Sequence, residues 1–436
     1  MFAAISITYF LIFALLVYVF SRLEKGLTSF FVFGIFATIY YVSIPFEMLY
    51  TDKLFFIYEP NILLNVDVER RTLLIILAMA ALSLLGFATG YMLSGFKTSV
   101  AEAYANTKRS GNLSMYGLVG FLGALIMISL VLFRDELRAI SSYHGNVETK
   151  ALNPAFNYII YMIIVVYTIL QSYLILSKRI SFSLAAGMTL ISIAWSIYSS
   201  DKDPLLLGLL PMAIYLNRIK QYRFARTQIT IMLAIVVIIP IMLMAFSEFR
   251  SHGSVTFQNF QDDKGLFKLT DARGGMHVAV SIIENEETEM AFGKTYLESA
   301  VLWIPRKIWP DRPLDQAQKF AINHMKDWLP GQGLGYSPIA EAYQNFGLIG
   351  GFLHFLLFGF AWGVLWNTIR RFFFRENLLM FNALYSIYGV YMLIIIHRGA
   401  SNAFVTTSIQ TLIPLLFIVL VVKLIAILAA NKRAIL

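Results

Sequence analysis

The chain repeatedly runs for about 18 or more residues with scarcely a charge, long enough to cross a hydrocarbon core as a helix. Residues 113–133 and 405–428 are the plainest cases. In lipid, every backbone N–H and C=O must be bonded internally, which leaves only helices or a closed barrel. Barrel strands alternate apolar and polar residues, and these runs do not. The expectation is an all-α polytopic membrane protein. Composition agrees: 58% of the residues are hydrophobic and 14% charged, against roughly 25% charged in a soluble domain.

About eleven transmembrane helices are expected, at 3–21, 27–50, 72–95, 113–133, 154–177, 180–198, 204–217, 229–247, 339–366, 378–396 and 405–428. The run at 204–217 is short and reads as a broken or re-entrant helix. The first run has no basic residue before it and no small-residue cleavage site after it, so it reads as a spanning helix and not a removed signal. On this division, 1–247 carries helices one to eight, 248–338 is one large hydrophilic loop, and 339–436 carries the last three helices. Alternate short loops at 22–25, 97–109, 178–179, 218–226 and 370–376, with the tail at 432–433, hold sixteen Lys and Arg against three Glu. The other set holds eight against nine acids. The positive-inside rule therefore places the C-terminus in the cytoplasm and the large loop, an extracytoplasmic one, outside. Much of the net charge of +9 is a topology signal, so no nucleic-acid partner is implied. With no cysteine there is no disulfide and no thiolate metal site.

Ionisable residues gather near the outer ends of the helices. Arg250 follows the eighth span, Arg273 lies in DARGGMH, and Arg306 and Arg312 sit in WIPRKIWPDRP. Arg398 starts the last outer loop, IIIHRGASN, and Lys202 sits in the small loop SSDKDP. Glu341 opens the ninth span in AEAYQNFG, with Asn345 one turn later. Each has an ordinary reading. Arginines at helix ends snorkel or cap carbonyls, Trp303 and Trp309 suit interface anchoring as well as sugar platforms, and His354 suits a bond to a neighbouring helix. Together, cations and one carboxylate on one side of a bundle suit an anionic lipid headgroup. Guanidinium groups bind phosphate oxygens bidentately and stay protonated when desolvated, and so stabilise a departing pyrophosphate. No metal is expected: Asp262-Asp263 is not a spaced pair, and the six histidines show no ligand spacing.

The stretch Trp303-Ile-Pro-Arg-Lys-Ile-Trp-Pro-Asp-Arg-Pro313, the turn GQGLGYS at 331–337 and EAYQNFGLIG at 341–350 resemble the Wzy-type O-antigen and exopolysaccharide repeat-unit polymerases. The related O-antigen ligases carry His, then Asn, Ser or Gln, nine residues, Gly, two residues and Gly. Here Tyr336-Ser337, nine residues, Gly347, two residues and Gly350 fit that frame. Tyr336 stands where the ligases place a His thought to act as base, which argues for polymerase over ligase. Lys202 stands where many relatives have arginine.

The resemblance implies a metal-independent glycosyltransferase of the membrane-embedded C class in the bacterial inner membrane, with the large loop periplasmic and no cofactor. It would move a glycan from undecaprenyl pyrophosphate to a sugar hydroxyl of a second lipid-linked repeat unit. Expected partners are undecaprenyl-pyrophosphate-linked glycans, membrane lipids and a chain-length-regulating copolymerase. A sugar hydroxyl needs a base within hydrogen-bond reach, and Glu341, partly desolvated at a helix end, suits that role. Arg250, Arg273, Arg306, Arg312, Arg398 and Lys202, with Tyr336 and Asn345, are the candidates for holding substrate and pyrophosphate. A lipid-linked oligosaccharide flippase or other carrier, and a related ligase, are the alternatives. A carrier would show internal repeats and midplane polar sites, and no repeat is visible.

Overall fold

The computed structural model describes residues 2–23, 29–46, 68–96, 113–132, 154–177, 180–199, 207–212, 270–284, 289–304, 306–325, 333–375, 377–420 and 423. The elements are α1 (Phe2–Leu23), α2 (Ser29–Ala37), α3 (Arg70–Leu93), α4 (Leu113–Leu132), α5 (Pro154–Leu176), α6 (Phe182–Ser199), α7 (Thr270–Glu284), α8 (Lys294–Val301), α9 (Gln316–His324), α10 (Pro338–Phe346), α11 (Gly350–Phe373), α12 (Leu378–Leu384) and α13 (Val390–Thr407). Among the described residues there is no β-strand, and the fold is all-α as expected. Five described helical stretches are long and apolar enough to cross a membrane, and three shorter apolar ones accompany them. The expected span at 229–247 and most of that at 204–217 lie outside the described residues.

The chain divides into two compact units. The first comprises Met1–Lys97, Thr270–Arg375 and Met392–Leu436. Its axis is the pair α3 and α11, which meet backbone to backbone. A Cβ added at Gly90 would lie 2.0 Å from the Leu356 carbonyl oxygen, one at Gly359 2.3 Å from that of Phe87, and one at Gly351 2.8 Å from Met79 Cα. Lipid tails are as apolar as leucine, so helices in a membrane are held by such close approach of small residues and not by hydrophobic exclusion. Contacts rise together along both helices, Met79 with Gly351 and Phe87 with Gly359, so the two run parallel. Aromatic rings fill the space against α1 and α2: Phe33 stacks on Phe87 at 4.1 Å and Phe20 on Phe30 at 4.9 Å.

This unit has two chemically different ends. At one, the Arg370 guanidinium lies over Phe96, and Lys423 Nζ donates to the Phe373 carbonyl. Arg370, Arg371 and Arg375 lie at that end, in and just after the last turn of α11. At the other, the Glu69 N–H donates to Glu284 Oε1 at 2.8 Å, joining the start of α3 to the end of α7. The region expected as a single hydrophilic loop folds here into α7, α8 and α9.

One expected span and one expected loop are differently built. The run 339–366 is not one helix. Gly347 has φ +59°, a 3-10 turn spans Gly347–Ile349, and α11 begins at Gly350. A Cβ at Gly350 would lie 2.0 Å from the Ala342 carbonyl oxygen, so only glycine lets the chain fold back this tightly. The expected outer loop at 397–404 is likewise corrected. Helical backbone runs up to Arg398 and resumes at Ser401, broken only at Gly399 (φ −142°, ψ 16°) and Ala400 (φ 54°, ψ −149°). Beyond the break the chain runs parallel to α11, with Phe404 against Phe358 and Lys423 at Phe373. Two residues replace a loop.

The second unit comprises Thr98–Leu269 and Glu376–Tyr391. Here α4, α5 and α6 share a core of Val119, Ile126, Ile164, Tyr167, Met188 and Trp195, and α12 packs on α5. Gln171 Nε2 donates to the Ala185 carbonyl and to Thr189 Oγ1, both at 3.0 Å, and the Tyr167 hydroxyl donates to the Met188 carbonyl.

Candidate active site

Helix α10 is short because its ends are fixed by side-chain chemistry. Ser337 caps its N-terminus, accepting from the Ala340 N–H, and Pro338 follows at the first helical position. Gly347 ends it. The nine residues between Ser337 and Gly347 are therefore the helix itself. Glu341 and Asn345, one turn apart, share its buried face.

Glu341 is 1% exposed, so its carboxylate requires donors. Three come from two other segments. The Thr295 hydroxyl on α8 donates to Oε1 at 2.8 Å, the Ser401 hydroxyl donates to Oε1 at 2.5 Å, and the Ser401 N–H donates to Oε2 at 2.8 Å. Ser299 Oγ lies 2.8 Å from Ser401 Oγ. The break at Gly399 and Ala400 explains the third bond. It leaves Ser401 at the start of a new helical segment, where an N–H has no intrahelical acceptor and the helix dipole favours an anion. An ionised carboxylate offers about four lone-pair positions, so three donors leave room for one more.

Asn345 is fully buried and all its polar atoms are engaged. Its Nδ2 donates to Thr295 Oγ1 at 2.7 Å and to the Glu341 carbonyl at 2.8 Å, and its Oδ1 accepts from the Gly293 N–H at 2.7 Å. Expected to touch substrate, it does not line the cavity. It holds the start of α8 against α10 and so aims Thr295 at Glu341.

Glu341 opens onto a cavity of about 340 Å³ whose walls include Asp315, Gln316, Tyr336, Arg398, Asn402, Thr406 and Thr407. Helix α9 forms one wall. It is tied to α8 through Glu298, which accepts from Gln316 Nε2 at 2.6 Å and Lys319 Nζ at 2.5 Å. Tyr336 forms another wall, its hydroxyl donating to Gln344 Oε1. Burial pushes the Tyr336 phenol well above its ordinary range, and the nearby Glu341, Tyr296 and Glu298 push it further. It is a proton donor here and a poor base. Burial and then Glu341 raise the Tyr296 phenol as well; its hydroxyl lies 2.8 Å from His354 Nδ1.

Of the expected residues, the structure brings Glu341, Tyr336 and Arg398 to one cavity. Arg306 is exposed and its Nη1 donates to the carbonyls of Pro310 and Arg312, closing the turn it sits in. Neither Arg306 nor Arg312 lines the cavity, and Trp303 and Trp309 are exposed on the same turn. Arg273 lies on α7, its side chain outside the described residues, as are Arg250 and Lys202. Among the described residues no group of three or more His, Asp or Glu is placed to hold a metal ion. Thr295, Ser299, Ser401 and Asn402 were not expected.

The whole arrangement lies within a region matched by one family, described as O-antigen polysaccharide polymerase Wzy, over residues 1–427. The chain belongs to that family. No curated protein and no solved structure matches it. The Wzy match spans nearly the full chain and agrees with the resemblance on 303–350. It makes this a multi-pass membrane protein of polysaccharide biosynthesis that acts on lipid-linked oligosaccharides.

Proposed function

We propose that the chain lengthens a polysaccharide at the Glu341 cavity, transferring a glycan from undecaprenyl pyrophosphate to a sugar hydroxyl of a second lipid-linked repeat unit. The observation that carries this is a buried carboxylate and a guanidinium, Glu341 and Arg398, lining one polar cavity at one end of a helical unit. In the reaction the acceptor oxygen attacks the anomeric carbon of the donor. A new C–O bond forms there and the bond to pyrophosphate breaks. Glu341 takes the acceptor proton and undecaprenyl pyrophosphate leaves. A positioned general base contributes typically 10²- to 10⁴-fold.

Each residue then has a role. Thr295 and Ser401 fix the Glu341 carboxylate, and Asn345 fixes Thr295. Arg398, before the helix break, meets the charge of the departing pyrophosphate, so the proposed reaction uses a guanidinium and not a metal ion at that step. The sidedness follows from charge. The basic residues Arg370, Arg371, Arg375 and Lys423 lie at the end with Phe96, and the cavity lies at the end with α8, α9 and α10. By the positive-inside rule the cavity is extracytoplasmic.

Purified protein supplied with a lipid-linked repeat unit tests this directly. Longer lipid-linked chains are expected, with or without EDTA, and Glu341→Gln should leave single repeats. No covalent change would point to a carrier. Transfer to a lipid A core would point to a ligase.

A further inference from the structure

Asn402 is the second residue past the helix break, and it lines the Glu341 cavity. Its Oδ1 is buried and has no hydrogen-bond partner. A buried amide oxygen left without a donor is costly, roughly 1–3 kcal/mol, and such atoms are rare in folded proteins. That oxygen therefore does not cap its own helix and is not consumed by the fold. Thr406, one turn on, also lines the cavity. Its hydroxyl donates to the Asn402 carbonyl at 2.7 Å, so its lone pairs remain acceptors. Across the cavity stand Asp315, which spends Oδ1 on the Gln318 N–H at 2.7 Å, and Gln316.

These groups want a ligand dense in hydroxyls. A hydroxyl both donates and accepts, so it satisfies the Asn402 amide whichever way its oxygen and nitrogen are turned. An isoprenoid tail satisfies none of them, and a diphosphate has no proton to give to an amide or carboxylate oxygen. Asn402 also adjoins Ser401, which holds the carboxylate that faces the attacking hydroxyl, whereas Arg398 lies on the other side of the break. We propose that Asn402 binds a second hydroxyl of the acceptor's terminal sugar and so selects which sugar presents its attacking hydroxyl to Glu341. This rests on the polymerase reading above.

The test uses purified full-length protein, a trace of labelled lipid-linked repeat unit as donor, and an excess of acceptor. Acceptors are the same lipid-linked unit and analogues lacking single hydroxyls on the terminal sugar. Asn402→Ala should raise the acceptor KM about tenfold and leave kcat within a few fold. One deoxy analogue should lose about tenfold with the natural protein and less than twofold further with Asn402→Ala, because the partner is already gone. Asn402→Leu fills the same volume without the amide and serves where the alanine variant fails to fold. If every analogue loses the same factor with and without Asn402, the subsite is wrong while the polymerase stands. If the natural protein makes no longer chains from the intact repeat unit, both readings fall.

Discussion

Each of the two units holds a cavity, and the two are opposites. The cavity of the first is ringed by Glu341, Arg398, Asp315, Gln316 and Asn402, and the helices around it are broken at Gly347 and at Gly399–Ala400. The cavity of the second, about 480 Å³, is lined by Tyr116, Val119, Met127, Leu174, Leu184, Ile191 and three glycines. There α4, α5 and α6 each run through 18 residues or more. An unbroken helix spends its N–H groups on itself. To bring backbone donors to an anion inside a membrane protein, the helix must be interrupted. Polar chemistry and broken helices therefore occur together here, and apolar surface goes with continuous helices.

The comparison is broken most directly by exchanging polar for apolar in each unit. Glu341→Gln keeps the size and two oxygen or nitrogen contacts but loses the base, so polymerisation should fall at least 100-fold with the thermal unfolding temperature nearly unchanged. Gln171 in the second unit is also a buried polar side chain, bonded to Ala185 and Thr189. Its Oε1 has no partner, so Gln171→Leu removes an unsatisfied atom and should change both stability and turnover by less than about 1 kcal/mol. Equal losses of activity in the two variants would erase the distinction between the units.

The next largest effect concerns packing. A Cβ at Gly359 falls 2.3 Å from the Phe87 backbone, whereas one at Gly120 in the second unit meets nothing within 4 Å. Gly359→Val should cost about 3 kcal/mol, at the upper end for overpacking, and lower the yield of folded protein. Gly120→Val should stay within about 1 kcal/mol, since it gains helix propensity and meets open space. Unfolding of the two purified variants by heat checks this, and comparable losses would show that the α3–α11 seam has slack.

Among its described residues, the second unit was also easy to read from sequence. Expected spans at 113–133 and 154–177 agree with α4 and α5 to within a residue or so, because apolar content alone sets a continuous membrane helix. The first unit resisted for a physical reason. Hydropathy averages over a run and does not see the sign of φ, so 339–366 reads as one helix and the two-residue break after Arg398 reads as a loop. Glu341 and Arg398 were legible because a charge in an apolar run is conspicuous. Thr295 and Ser401 were not. Hydroxyl residues in apolar helices commonly bond their own backbone, as Thr38 does to Gly34 and Ser43 to Ile39. Nothing local marks the two that reach across to a carboxylate. Asn345 was legible as a polar residue in the right place, but its role as a brace appears only once Gly293 and Thr295 are set beside it.

A smaller effect reads the electrostatics around Glu341. Tyr336 is held protonated by burial and by neighbouring acids, so its pKa is raised on folding. As pH rises through about 10, the unfolded chain gives up this proton while the folded one retains it. The stabilisation is thus complete below the unfolded value and is lost progressively toward the folded one. Tyr336→Phe should therefore unfold at a temperature that falls less steeply between about pH 9.5 and 11 than that of the natural protein. The same variant should leave the pH profile of turnover below pH 9 unchanged, because the phenol is not the base. A turnover limb that disappears with the hydroxyl would move the base from Glu341 to Tyr336.

The smallest expected effect bears on the break itself. Ala400 has φ 54° and ψ −149°, a conformation natural to glycine and strained for any residue with a Cβ, at a cost on the order of 1–3 kcal/mol. The next residue donates both its N–H and its hydroxyl to Glu341, so the strain sits where the carboxylate is held. Ala400→Gly relieves it but frees the unfolded chain, which takes back about 0.4–1 kcal/mol. The net gain should be about 1 kcal/mol in stability. If the break exists only to turn the chain, turnover should be unchanged. If the alanine stiffens the turn so that Ser401 keeps Glu341 aimed, the more stable glycine variant should be the slower enzyme, by a few fold in kcat with KM little altered. Stability and turnover moving in opposite directions at Ala400, and together at Gly120, would tie the broken helices to the chemistry and the continuous ones to packing alone.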